Sequence, residues 1–284
     1  MSPQPTQTTL ARPVSTEGLG LHTGRSASLS LLPTDPGAGL VFHCGGVAIP
    51  ATAEHVVGTR RCTTLGRGEA RVMTVEHLLS ALYGMGVDNA RIEIEGEEVP
   101  AGDGSAKGWV ELIRRAGVKR LDSPRRPLAP AEAVWVADGQ ADTAGSAQGW
   151  AVAIPGPRLA LAVGVDFGDA TVGQQQLWLP VTPAHYARDL APARTFAFAH
   201  EVEALREAGL AQGGTADNAV VVQPEGYSVP LRFPDEIVRH KAMDAVGDLA
   251  LCGSRLRAQV VLVRPSHRLV TQLALALRKA GERV

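Results

Sequence analysis

Asp122-Ser123-Pro124-Arg125-Arg126-Pro127-Leu128-Ala129-Pro130 places three prolines within nine residues. Proline fixes φ, lacks an amide hydrogen and disfavours helix in the residue before it, so the stretch fits neither a helix nor a central strand. It reads as an extended connector over 123–130 that divides the 284 residues into two similar lengths. On its N-terminal side, Ala27, Leu29 and Leu31 alternate within a predicted strand 26–32, and a second strand is predicted over 90–95. Helices are predicted there over 75–83 and 108–116. On the C-terminal side, Leu159, Leu161, Val163, Val165 and Phe167 alternate as in a half-buried strand. Helices are predicted over 201–208, 237–251 and 269–279, with a strand over 259–263. Strands and helices mixed without strict βαβ alternation indicate an α+β fold. No short-period repeat is present, but two similarly built halves are consistent with a diverged duplication.

Hydrophobic content of 45% and charged content of 20% are those of an ordinary soluble globular protein. A formal net charge of −1 gives no basic footprint, so no nucleic-acid partner is expected. Cys44, Cys62 and Cys252 are odd in number and lack C-x-x-C spacing, so neither a disulfide framework nor a thiolate zinc site is indicated. The opening residues 1–7 have no apolar core, so no signal peptide is expected. No apolar run reaches the ~18 residues of a spanning helix, so no transmembrane segment is expected. A reducing, cytoplasmic location follows.

The chemistry concentrates in two stretches. In His240-Lys241-Ala242-Met243-Asp244, residues four apart stack on one helix face, so His240 and Asp244 can grip one ion, and Asp248 extends the stripe. In Thr74-Val75-Glu76-His77, His77 offers a third ligand and Glu76 a base, with Thr74 as the expected N-cap and the helix N-terminus favouring ionised Glu76. Three ligands of His/His/Asp type leave a position open for water, which separates a catalytic zinc site from a structural one. Each stretch alone has a bland reading, a solvated helix face for the first and an exposed helix start for the second. Solvated faces favour long Lys, Glu and Gln, whereas this stripe holds short Asp and His.

His267, just past the strand 259–263, reads either as a loop residue or as a general acid whose protonated form Asp248 holds. Phe196 and Phe198 alternate as strand packing does, although two of only five phenylalanines this close together also suit a pocket wall. Gly213-Gly214-Thr215-Ala216-Asp217-Asn218 is a turn signal. His22, His43, His55, His185 and His200 have no partner at ligand spacing and read as structural or surface residues.

Taken in order, these segments resemble the UDP-3-O-acyl-N-acetylglucosamine deacetylases, zinc enzymes of the committed step of lipid A synthesis. The similarity runs from Thr16-Glu17-Gly18-Leu19-Gly20-Leu21-His22-Thr23-Gly24 through Thr74-Val75-Glu76-His77-Leu78, Val87-Asp88-Asn89 and Val99-Pro100-Ala101-Gly102-Asp103-Gly104-Ser105-Ala106. It resumes at Ala193-Arg194-Thr195-Phe196, Gly213-Gly214 and Asn218-Ala219-Val220-Val221-Val222. It is densest at Leu231-Arg232-Phe233, Val238-Arg239-His240-Lys241 and Asp244-Ala245-Val246-Gly247-Asp248-Leu249. The resemblance implies two similar domains, each layering a β-sheet against two helices, with the active site in the cleft between them. With the connector, these become a domain over 1–122, a linker over 123–130 and a domain over 131–284. A short hairpin insert is expected near 60–73, and an insert forming an apolar passage for an acyl chain near 194–230.

By the same resemblance, His77, His240 and Asp244 hold zinc, and Glu76 is the base for the attacking water. His267 protonates the leaving amine with Asp248 as its partner, and Thr195 donates to the developing oxyanion. Lys241, Phe196 and Phe198 contact the substrate. The implied partner is a UDP-linked acylated amino sugar, and a monomer is expected. Two other readings stay open: a zinc deacetylase for a different acylated amino sugar, and a sugar-nucleotide or lipid-binding homologue whose catalysis has decayed. Three departures from the family pattern stand out, and the first two motivate the different deacetylase. Ser266 and Val270 stand around His267 in place of Gly and Asn, Ala101-Gly102 replaces an apolar pair, and Gly168-Asp169 replaces a His-Pro.

Overall fold

The structure is a computed structural model that describes residues 5–138 and 149–283. Residues 1–4, part of the opening read as lacking a leader, lie outside the described residues. The first half comprises β1 (Thr6–Leu10), β2 (Val14–Leu19), β3 (Ser26–Leu32), β4 (Leu40–Cys44), β5 (Val47–Pro50), β6 (Val56–Gly58), β7 (Thr64–Arg67), β8 (Ala70–Val72), α1 (Glu76–Gly84), β9 (Ala90–Glu95) and α2 (Lys107–Ala116). The proline-rich stretch is extended, as expected of it. It forms β10 (Val118–Pro124), paired with β1, and β11 (Leu128–Pro130), paired with the chain's last strand.

The second half continues with β12 (Val134–Ala137), β13 (Trp150–Pro155), β14 (Ala160–Asp166), β15 (Gln174–Pro180), a single turn α3 (Pro183–His185), β16 (Phe196–Phe198), α4 (Ala199–Glu207), β17 (Val220–Gln223), β18 (Gly226–Tyr227), α5 (Glu236–Ala250), β19 (Ala258–Val263), α6 (His267–Ala280) and β20 (Gly281–Arg283).

The two halves share one topology, and the class is α+β. The first five-stranded sheet runs β2-β3-β9-β4-β5, and the second runs β12-β13-β19-β14-β15. In each, neighbours are antiparallel except the central pair, β4 with β9 and β14 with β19. Each half also places one helix before its last-paired strand and one after it, α1 and α2 around β9 and α5 and α6 around β19. The inserts occupy matching places, between the fourth strand and the first helix. The first is a three-stranded sheet, β6-β7-β8, where a hairpin was expected, because its pairing begins at Val56, ahead of residue 60. The second carries the sheet β16-β17-β18 and helix α4.

Strand periodicity explains the layering. Ala27, Leu29 and Leu31 of β3, and Leu161, Val163 and Val165 of β14, point inward and are buried. One continuous apolar core runs through both halves, joining Leu31, Phe42, Leu82 and Ile92 to Leu161, Val246, Leu262 and Leu273. The helices meet at its centre. Every residue of α1 is buried, and so is every residue of α5 except Arg239 and Lys241. The polar stripe of α5 therefore faces the interior. Gly247 makes the approach possible, since a Cβ there would lie 2.1 Å from the Glu76 carbonyl oxygen.

Candidate metal and catalytic site

The crossing of α1 and α5 sets Glu76 and His77, in the first turn of α1, against His240, Asp244 and Asp248, which share one face of α5. The Nε2 atoms of His77 and His240 each lie 3.4 Å from Asp244 Oδ1. The three ligand atoms fall within 4.8 Å of one another. All three side chains are buried, yet Asp244 Oδ1 has no hydrogen-bond partner among the described residues. A buried carboxylate oxygen without a donor costs ~1–3 kcal/mol or more, so it calls for a cation. A separation of 3.4 Å also matches the ligand–ligand edge of a tetrahedron with metal bonds of ~2.0–2.2 Å. The donor set therefore fits a metal ion.

The surroundings prepare these donors. His240 Nδ1 lies 3.2 Å from the Ala193 carbonyl, which can only accept, so Nδ1 carries the proton and Nε2 turns its lone pair toward Asp244. Burial pushes the His240 pKa down to about 4, keeping it neutral. Burial opposes charge on Asp244, but the Lys241 ammonium, 3.1 Å away, and the neighbouring imidazole of His77 hold its pKa well below the ordinary value.

Glu76 and His267 flank the donors. Burial raises the Glu76 pKa, against the pull of His267 and His77, so helix-end stabilisation of its anion does not dominate as expected. The expected N-cap is also absent. Thr74 has φ 56° and donates to Glu98, and Val75 precedes the helix without a side-chain cap. His267 opens α6, where Ser266 Oγ caps the helix by accepting from the Leu269 amide at 3.1 Å. His267 Nδ1 donates to Asp248 Oδ2 at 2.9 Å. Burial alone lowers an imidazole's pKa, but the Asp248 charge and hydrogen bond outweigh it and hold His267 at about 9.

Thr195, Phe196, Phe198 and Lys241 line the same cavity of about 250 Å³ as Glu76, the three metal donors and His267. Thr195 is held by its backbone, its amide donating to Gly104 and its carbonyl accepting from Val220, at 2.8 and 2.9 Å. Phe196 and Phe198 pack edge-on against Phe167 at centroid distances of 5.6 and 5.3 Å. Asp248 stands behind His267, outside the cavity lining.

Three residues went unread in the sequence. His22 is buried in the cavity wall, where burial lowers its pKa, and its Nδ1 accepts from the Ala211 amide at 3.4 Å. The Thr63 amide donates to Glu76 Oε2 at 2.9 Å while its hydroxyl donates to Asp248 Oδ1 at 2.6 Å, so one residue ties both carboxylates. Glu98 accepts from the His22 and Thr23 amides and from the Thr23 and Thr74 hydroxyls, fixing the turn that feeds α1. All three lie outside the named strands and helices, where no periodicity marks them. The Gly20-Leu21-His22-Thr23-Gly24 turn was the available signal for His22, and Thr63 offered none.

Two like sheets enclosing a His/His/Asp donor set, a buried carboxylate and an imidazole–aspartate pair form the construction of a metal-dependent hydrolase. The chain belongs to the UDP-3-O-acyl N-acetylglycosamine deacetylase family, LpxC, whose family model matches residues 7–279. It is 44% identical over 277 residues to the UDP-3-O-acyl-N-acetylglucosamine deacetylase of Thermosynechococcus vestitus, covering 96% of this chain and 94% of that one. It is 42% identical to the proteins of that name from Geobacter sp. (strain M21) and Trichormus variabilis, covering 94% of this chain and 88% and 96% of theirs. No helix among the described residues is long and apolar enough to cross a membrane.

Proposed function

We propose that this chain hydrolyses the N-acetyl group of UDP-3-O-(3-hydroxyacyl)-N-acetylglucosamine, releasing acetate in the committed step of lipid A biosynthesis. We read it as a cytoplasmic monomer of two domains, 1–122 and 131–284, joined by the linker 123–130. The observation that carries the reading is the unpartnered Asp244 Oδ1 between two imidazole nitrogens, with Glu76 and His267 beside it.

His77, His240 and Asp244 are the zinc ligands. Zinc held there supplies Lewis acidity, lowering a water's pKa toward ~7 and polarising the amide carbonyl. Glu76 takes the proton from the attacking water, its carboxylate aimed by the Thr63 amide. An amide anion is a poor leaving group, so the nitrogen must leave protonated. His267 delivers that proton from Nε2, because Nδ1 is engaged with Asp248. Thr195 donates to the oxyanion, a contribution whose loss typically costs ~100-fold or more. Lys241 contacts the substrate from the rim, and Phe196 and Phe198 face its sugar and nucleotide. The insert over 194–230 supplies the acyl passage, with Leu205 and Ala211 on its wall. The capping of α6 by Ser266 gives the departure from Gly beside His267 a structural use and leaves the imidazole aimed into the cavity.

The test is acetate release from that substrate by metal-loaded protein, before and after chelation and zinc re-addition. Turnover lost on chelation and restored by zinc is expected. Undiminished turnover after complete metal removal would reject the reading.

A further inference from the structure

The two five-stranded sheets share a topology, but their outward faces differ in kind. Across the first sheet, the outward row Ser15–Ser30–Glu93–His43–Ala48 follows the strand register. The matching row of the second sheet is Trp135–Val152–Val261–Ala162–Trp178. Trp178 is 67% exposed and Trp135 58%, with Trp150 stacked on Trp135 at 5.0 Å. Three of the chain's four tryptophans thus sit on one solvent-facing sheet surface, while its twin carries serines and a glutamate. An exposed apolar sheet face of this kind marks a binding surface.

Shape and charge select the occupant. Tryptophans stand on the two outer strands, and the centre holds Ala162 and Gly164, where an added Cβ would meet nothing within 4 Å. The face is therefore a trough, with a depression of about 570 Å³. Two copies placed face to face would bring tryptophan banks together and leave the troughs unfilled. Beyond one end of the trough lie Arg158 and Arg257, just before the parallel strands β14 and β19. Neither has a side-chain partner among the described residues, and they line a second cavity of about 460 Å³ together with Arg125 and Arg255, which are both paired with Asp88. Asp166, at the trough's other end, is already paired with Arg264 at 2.9 Å. Amphipathic tryptophans beside unpaired arginines match the interfacial zone of an anionic bilayer, which fills a trough without a shape of its own.

We propose that the outward face of the second sheet, with Trp135, Trp150 and Trp178 over the trough and Arg158 and Arg257 at its end, docks on an anionic phospholipid surface. The substrate pocket is walled by other residues, so docking leaves it free.

The test uses the full chain and its own fluorescence, titrated with vesicles of phosphatidylcholine alone or mixed equally with phosphatidylglycerol. Since Trp109 is the one tryptophan off this face, and is buried, emission reports on the face itself. A blue shift and quenching by brominated acyl chains are expected with the anionic vesicles, weakening as salt rises. Trp178→Ser should reduce affinity roughly tenfold, because binding scales with the apolar area inserted. Arg158→Glu and Arg257→Glu should each cost about fivefold on anionic vesicles. Acetate release from dispersed substrate should be unchanged in all three variants. Absence of any shift in the unmodified chain overturns the proposal without recourse to a variant. A concentration-dependent dimer lost in Trp178→Ser also overturns it, assigning the face to a second copy.

Discussion

Asp244 is asked to do more than any other residue, since its unpartnered oxygen lies between two neutralisable nitrogens and its second oxygen is bound by Lys241. Removing a donor and removing the base should therefore separate. His240→Ala is expected to abolish stoichiometric metal, whereas Glu76→Ala keeps metal and fold but loses ~10²–10⁴ in kcat. Metal analysis beside turnover checks both. The protonation states set a pH window, as Glu76 must be ionised while His267 is protonated. Burial raises the first, and Asp248 holds the second at about 9, so activity should fall as pH rises through the His267 pKa. In Asp248→Asn the charge that raises His267 is gone, and the alkaline limb of kcat/KM should move to lower pH. An unmoved limb assigns it to another group. The i, i+4 pair His240–Asp244 was legible because a helix repeats, and so was Glu76 beside His77. His22, Thr63 and Glu98 were not, because a segment outside the regular elements has no period to betray which side chain it sends inward.

Elements explain how those residues meet. The alternation in β3, β9, β14 and β19 was readable because one face of each strand is apolar. In α5 the short Asp and His of the polar stripe argued against a solvated face, but its burial against α1 and α6 was not legible, because burial by a partner helix leaves no mark in a single segment. The small residue at the crossing, Gly247, is a sharper signal in hindsight. Gly247→Ala would drive a methyl into the Glu76 carbonyl, and separating two packed helices typically costs ~1–3 kcal/mol. Both the melting temperature and metal affinity should drop in this variant, since the same shift moves His77 from Asp244. A variant of wild-type stability would mean that α1 can slide freely.

At the level of the molecule, one metal donor comes from the first half and two from the second, so an ion that binds the folded chain stabilises their association by mass action. At a hundredfold excess over Kd that is ~2.7 kcal/mol. Chelation should lower Tm by roughly 5–10 °C in a chain of this size and leave an Asp244→Ala variant unmoved, as scanning calorimetry would show. The likeness of the halves was visible only as two similar lengths of mixed strands and helices around a proline-rich connector, because sheet order depends on pairings between distant strands. The shared topology has an evolutionary corollary. Both inserts leave the shared topology at one junction, between its fourth strand and its first helix, and neither five-stranded sheet takes a strand from them. Segments grafted at that junction from relatives can be exchanged without disturbing a sheet register, so under the proposed function the insert assigned to the acyl chain is a part the architecture leaves free to drift.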